Sequence, residues 1–175
     1  MKLTLLLILS LNILSVKCQN SELNELINQI YDDILLERNN YFVLDKSIKY
    51  SIGDFELQNY QKRDLKNADP NFPIDLITNP PTELNQTDWT NLQLPKTEFK
   101  SEMELSNPNF LDKHKVYYAF STPIFSKNKK YCIIIVSTNY NSGSEYKNYV
   151  LKKTNKKWKE IFNFVSKQTQ RTVYH

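Results

Sequence analysis

The side chains that could do chemistry crowd into one stretch, Tyr117 to Tyr140, which reads YYAFSTPIFSKNKKYCIIIVSTNY. It holds Ser121, Thr122, Ser126 and Cys132, with His114 just upstream. A serine hydroxyl becomes a nucleophile when a base lies within hydrogen-bond reach and a sharp turn presents its oxygen. None of these hydroxyls has a G-x-S-x-G context, and His114 sits on a charged DKHK approach. Thr122 and Pro123 read as a break or bulge in an edge strand, because proline cannot donate to a ladder. Cys132, inside the apolar run YCIIIV, is expected to be a small, buried and inert hydrophobe. The expectation is that no residue of this stretch is catalytic, that Phe120, Ile124, Phe125 and the isoleucine run pack, and that Ser121 and His114 are dispensable.

Other chemistries lack their residues. Gly53 and Gly143 are the only glycines, so the phosphate-cradling loops that need several at fixed spacing are excluded. The histidines are His114 and His175, and no His-x-x-x-His or Cys-x-x-Cys pair offers zinc its ligands. Asp32 and Asp33 fall on the polar side of a helical pattern. No metal and no cofactor are therefore expected. The run KKTNKKWKE from Lys152 to Glu160 interleaves lysine with Trp158, as a nucleic-acid surface would. Its lysines cluster at a hairpin turn, however, so no nucleic-acid partner is expected and Trp158 reads as a core anchor. Asn85, Gln86 and Thr87 form a glycosylation sequon, meaningful only in a eukaryotic source.

The N-terminus carries its own chemistry. After Met1 and Lys2, the apolar run from Leu3 to Leu14 has the length of a secretory h-region, short of the roughly 20 residues that span a bilayer. Two cuts compete within SVKCQN. Cleavage before Cys18 would leave its thiol to carry a lipid, as in the relaxed signals of some Gram-negative lipoproteins; Lys17 stands where those signals favour a small residue. Cleavage before Gln19 would use Val16 and Cys18 as the small residues of a type I site. Lipidation of Cys18 is the favoured reading. Residues 1–18 are then a signal peptide of lipoprotein or type I kind, and residues 19–175 one α+β domain.

Charge is polarised along that domain. Residues 19–111 carry 8 Lys and Arg against 16 Asp and Glu, whereas residues 112–175 carry 13 against 3. The favoured reading is that an acidic half packs on a basic, β-rich half and partly neutralises it. The sharper one is a basic surface for a protein or anionic envelope partner.

Leu23, Leu26, Ile27, Ile30, Tyr31, Ile34 and Leu35 recur at helical spacing and predict an amphipathic helix that ends near Asn39 and Asn40. Tyr41 to Ile52 reads as a strand with room for a bend, and Asp54 to Pro70 as a short helix. Prolines at 73, 80, 81, 95 and 108 deny long regular elements between Asn71 and Asn109, which Trp89, Leu92, Leu94 and Phe99 should pin to the core. Four strands follow, Val116 to Ser121, Lys130 to Tyr140, Tyr146 to Lys153 and Trp158 to Val165, joined by short turns. The second is apolar on both faces and must be central. The fold class is α+β: an N-terminal amphipathic helix packed on a mainly antiparallel sheet with a C-terminal four-strand meander.

The strings YYAFSTPIFSKNKKYCIIIVS and YVLKKTNKKWKEI resemble the C-terminal region of uncharacterised bacterial envelope lipoproteins. The matching positions are Ser121, Pro123, Ile124, Phe125, Ser126, Lys152, Lys153, Lys157 and Trp158. The chain departs from that pattern in the loop NYNSGSE and in TNKK, where the family commonly has glycine. The resemblance transfers no activity; it implies a lipoprotein and supports the meander. The whole sequence is read as an outer-membrane lipoprotein facing the periplasm, held to the membrane through its lipid anchor, with a noncatalytic binding or structural role. An immunity-type inhibitor of a toxin, a hydrolase with an unrecognised site and a secreted glycoprotein cut after Cys18 stand as alternatives.

Overall fold

The computed structural model describes residues 22–31, 41–49, 57–81 and 86–170. The signal segment, Cys18, Asp32, Asp33, Ile34, Leu35, Gly53, Asn85 and His175 lie outside the described residues. The elements are α1 (residues 22–31), β1 (Tyr41–Leu44), α2 (Asn59–Ala68), α3 (Asp75–Thr78), β2 (Thr97–Lys100), α4 (Glu102–Leu105), α5 (Pro108–His114), β3 (Val116–Phe120), β4 (Ile124–Phe125), β5 (Tyr131–Tyr140), β6 (Gly143–Thr154) and β7 (Lys157–Gln170).

β5 organises the rest. Successive side chains of a strand point to opposite faces, so its apolar run divides in two. Cys132, Ile134 and Val136 enter one core with Leu26, Ile27 and Ile30 of α1 and with Trp89, Leu92 and Trp158. Ile133 and Ile135 enter the other with Leu57, Leu65 of α2, Ile77 of α3, Val150 and Phe164. The amphipathic stripe thus finds its surface, and the proline-rich segment is pinned by Trp89, Leu92 and Leu94, with Phe99 partly buried against them.

The sheet has seven strands in the order β2-β1-β3-β5-β6-β7, with β4 also paired to β5. From β3 to β7 all pairings are antiparallel; β5, β6 and β7 form a C-terminal meander, and β3 and β4 both pair along the other edge of β5. The sheet as a whole is mixed, because β1 runs parallel to both β2 and β3. Parallel neighbours need a long crossover, and the proline-rich segment supplies one while placing β2, only four residues long, at the sheet edge. The turn between β6 and β7 is left-handed at Asn155 (φ 51°) and Lys156 (φ 66°). Two positive φ angles in succession suit the twist of a two-residue hairpin.

The break at Thr122-Pro123 is present, but in an interior position. β3 and β4 are two pieces of one track along β5, and β1 lies on the other side of β3, with Ile48 bridged to Ser121. Fully buried Ser121 stitches the break. Its N–H donates to the Ile135 carbonyl at 2.9 Å, and the Ile135 N–H donates to Ser121 Oγ at 2.9 Å. The hydroxyl stands in for the carbonyl that a continuous ladder would offer, so Ser121 is structural rather than dispensable. Ser121→Ala should lower stability by about 1–3 kcal/mol, the cost of a buried N–H left without an acceptor. Chemical denaturation checks this, and an unchanged midpoint would show that the ladder closes without the hydroxyl.

Candidate functional site at the lysine-rich end of the sheet

The antiparallel register places Tyr131 opposite Lys152, so the β4–β5 turn and the β6–β7 turn lie side by side at one end of the sheet. A hydrogen bond from the Lys153 N–H to the Lys130 carbonyl, 2.8 Å, joins them. The first turn is shaped by Asn128, whose Oδ1 accepts from the Lys130 N–H at 3.0 Å and from Ser126 Oγ at 2.8 Å, the local bonding that favours Asn in turns. Lys127, Lys129 and Lys130 come from this turn, and Lys152, Lys153, Lys156, Lys157 and Lys159 from the other hairpin.

Lys152 and Lys153 are consecutive on β6 and therefore reach opposite faces. Lys152 Nζ meets Asp69, which follows α2, at 2.7 Å. Lys153 Nζ meets Glu22, at the start of α1, at 2.6 Å and lies 5.3 Å from the Trp158 ring centroid. One lysine pair thus ties down the cover on each face. Lys127, Lys129, Lys130, Lys156, Lys157 and Lys159 are exposed, and none has a carboxylate within ion-pair distance among the described residues. The outcome is a cationic surface built from two adjacent turns.

Asp69 is a buried carboxylate at this end, 5% exposed. Its Oδ2 also accepts from the Tyr131 hydroxyl at 3.1 Å, and Oδ1 accepts from the Asn71 N–H at 3.1 Å. Burial pushes its carboxyl up, but the Lys152 ammonium and these two donors outweigh that and hold it below its usual range. Burial and the neighbouring carboxylate push the Tyr131 phenol up in turn. A cleft of about 410 Å³ opens beside the turn, lined by Pro73, Asp75, Leu76, Phe125 and Lys127 among others.

The remaining candidates are dispersed. Ser121 follows β3 while His114 precedes it, so the strand separates them. The His114 ring packs on Phe42 and Phe110, with centroids 4.3 and 4.7 Å away. Thr122 Oγ1 donates to Ser47 Oγ at 2.8 Å and Ser126 Oγ accepts from the Tyr131 N–H at 3.0 Å. Cys132 is fully buried and free, and burial pushes its thiol well up. Among the described residues, no three His, Cys, Asp or Glu side chains are grouped to hold a metal, and no helix is long and apolar enough to cross a membrane. The lysines were visible in the sequence as turn residues; what it concealed was which two would be neutralised, because Asp69 and Glu22 are remote in the chain. No protein-family model matches the chain, and no curated protein or solved structure matches it.

A carboxyl whose folded pKa is lowered stabilises the fold at neutral pH, and that contribution is lost as pH falls through the lowered value. Asp69→Asn should therefore cost about 1.5–3 kcal/mol at neutral pH, the range for hydrogen bonds to a charged group. The difference from wild type should shrink in acid, below the ordinary aspartate pKa of about 4. Urea midpoints across that range measure it, and a pH-independent difference would show that the charge on Asp69 contributes nothing.

Proposed function

We propose that this chain is an exported, noncatalytic binding module of the cell envelope, anchored to the outer membrane through a lipid on Cys18 and facing the periplasm. The observation that carries the reading is the order of segments at the N-terminus: a short h-region from Leu3 to Leu14, then Cys18, then the polar stretch QNSE. The disposition of the reactive side chains supports the noncatalytic part. Ser121 and Ser126 accept backbone N–H groups, Asp69 is held by Lys152, Tyr131 and Asn71, and Cys132 is enclosed by apolar neighbours. The exposed lysine surface supports recognition of an anionic or acidic component, since unpaired charge at one end attracts the opposite sign and steers encounter.

Intact mass of the membrane fraction tests the anchor. An acylated chain that begins at Cys18 is expected, and Cys18→Ser should release the protein from that fraction. An unmodified chain beginning at Gln19 would overturn the anchor in favour of secretion.

A further inference from the structure

The lysine surface and the N-terminus of the described chain lie at the same end of the molecule. Glu22 opens α1 and is bonded to Lys153 at 2.6 Å, beside the β6–β7 turn. Three residues lie between Cys18 and Glu22, so the four Cα-to-Cα steps span at most about 14 Å when fully extended. A lipid on Cys18 would hold this end of the sheet within that distance of the headgroups. That is comparable with the Debye length of about 8 Å at physiological ionic strength, so the lysines would feel the surface charge of the bilayer.

We propose that Lys127, Lys129, Lys130, Lys156, Lys157 and Lys159 form a docking surface for the anionic phospholipid headgroups of the membrane that carries the chain. This rests on the anchored reading above and adds its orientation. Two observations favour a bilayer over an acidic protein as the occupant. The lysines project from two hairpin turns as exposed charges, which suits a diffuse negative surface. The tether also leaves from their own end. The acidic side chains of the C-terminal half are placed to agree: Asp112 accepts from Asn141 at 2.7 Å at the opposite end of β5, and Glu145 lies near that end on β6. Asp69 and Glu22 are taken up by Lys152 and Lys153, and Glu160 on β7 and Asp75, which lines the cleft with Lys127, set two carboxylates against six exposed lysines. Docked this way, the module presents the Asn141–Ser142 turn and α5 away from the bilayer.

The test uses the mature chain with Cys18→Ser, so that no acyl group contributes, and vesicles of phosphatidylcholine with or without phosphatidylglycerol. Co-sedimentation with the anionic vesicles alone, abolished by high salt, is expected. Lys127→Gln, Lys129→Gln and Lys157→Gln should each weaken partitioning by about fivefold, the effect of one lysine near an anionic surface. Lys113→Gln, in the last turn of α5, and Lys115→Gln, between α5 and β3, should leave it unchanged, with melting temperatures confirming that every variant is folded. Equal retention on both vesicle types overturns the proposal, as does retention on neither combined with capture on immobilised polyglutamate, which would indicate an acidic protein partner. Failure of docking while Cys18 is acylated in cells leaves the anchor standing; docking without acylation in cells removes the anchor and keeps the surface.

Discussion

From Tyr131 to Val136, β5 has no polar face. Ile133 and Ile135 on one side and Cys132, Ile134 and Val136 on the other are all buried, so the strand is stable only with a cover over each face. Both covers come from the N-terminal half: α1 on one face, α2 and α3 on the other. Full burial of an aliphatic side chain is worth about 1.5–3 kcal/mol, whereas an ion pair open to solvent on both partners, as Lys153–Glu22 is, is worth about 0–1 kcal/mol. The covers are therefore held by apolar contact, and the pairs Lys153–Glu22 and Lys152–Asp69 fix where each one ends.

This constraint also orders the charge. An acidic segment folded over a basic sheet would neutralise it broadly if surface charge decided the packing. Here the covers seat themselves by their apolar stripes, and their carboxylates reach two lysines at the end of β6. The turn lysines beyond the covers stay in solvent. Lys157 and Lys159 also guard the edge of the sheet, since β7 is its last strand and charge on an edge discourages pairing with other chains.

What could be read in the sequence was the local part. The stripe Leu26, Ile27, Ile30, Tyr31 and the uninterrupted run on β5 state their own periodicity, and the turns between β5, β6 and β7 are short enough to force antiparallel neighbours. The parallel pairing of β1 with β2 and β3 was not legible, because it depends on a long crossover and a four-residue strand. Ser121 was misread for a related reason: a serine two residues before a proline gives no sign that its hydroxyl will accept an N–H from Ile135, fourteen residues later. The lysine surface was half legible, since its members are plain in the sequence while their assembly depends on the Tyr131–Lys152 register.

Native-state hydrogen exchange measures the dependence of β5 on its two covers most directly. If both faces require burial, the amides of Cys132 to Val136 exchange only through global unfolding, and those around Leu26 in α1 and Leu65 in α2 lose their last protection in the same event. Opening of α1 and α2 at a much lower free energy while β5 keeps its full protection would contradict this, and would show that the sheet stands without the helices that cover it.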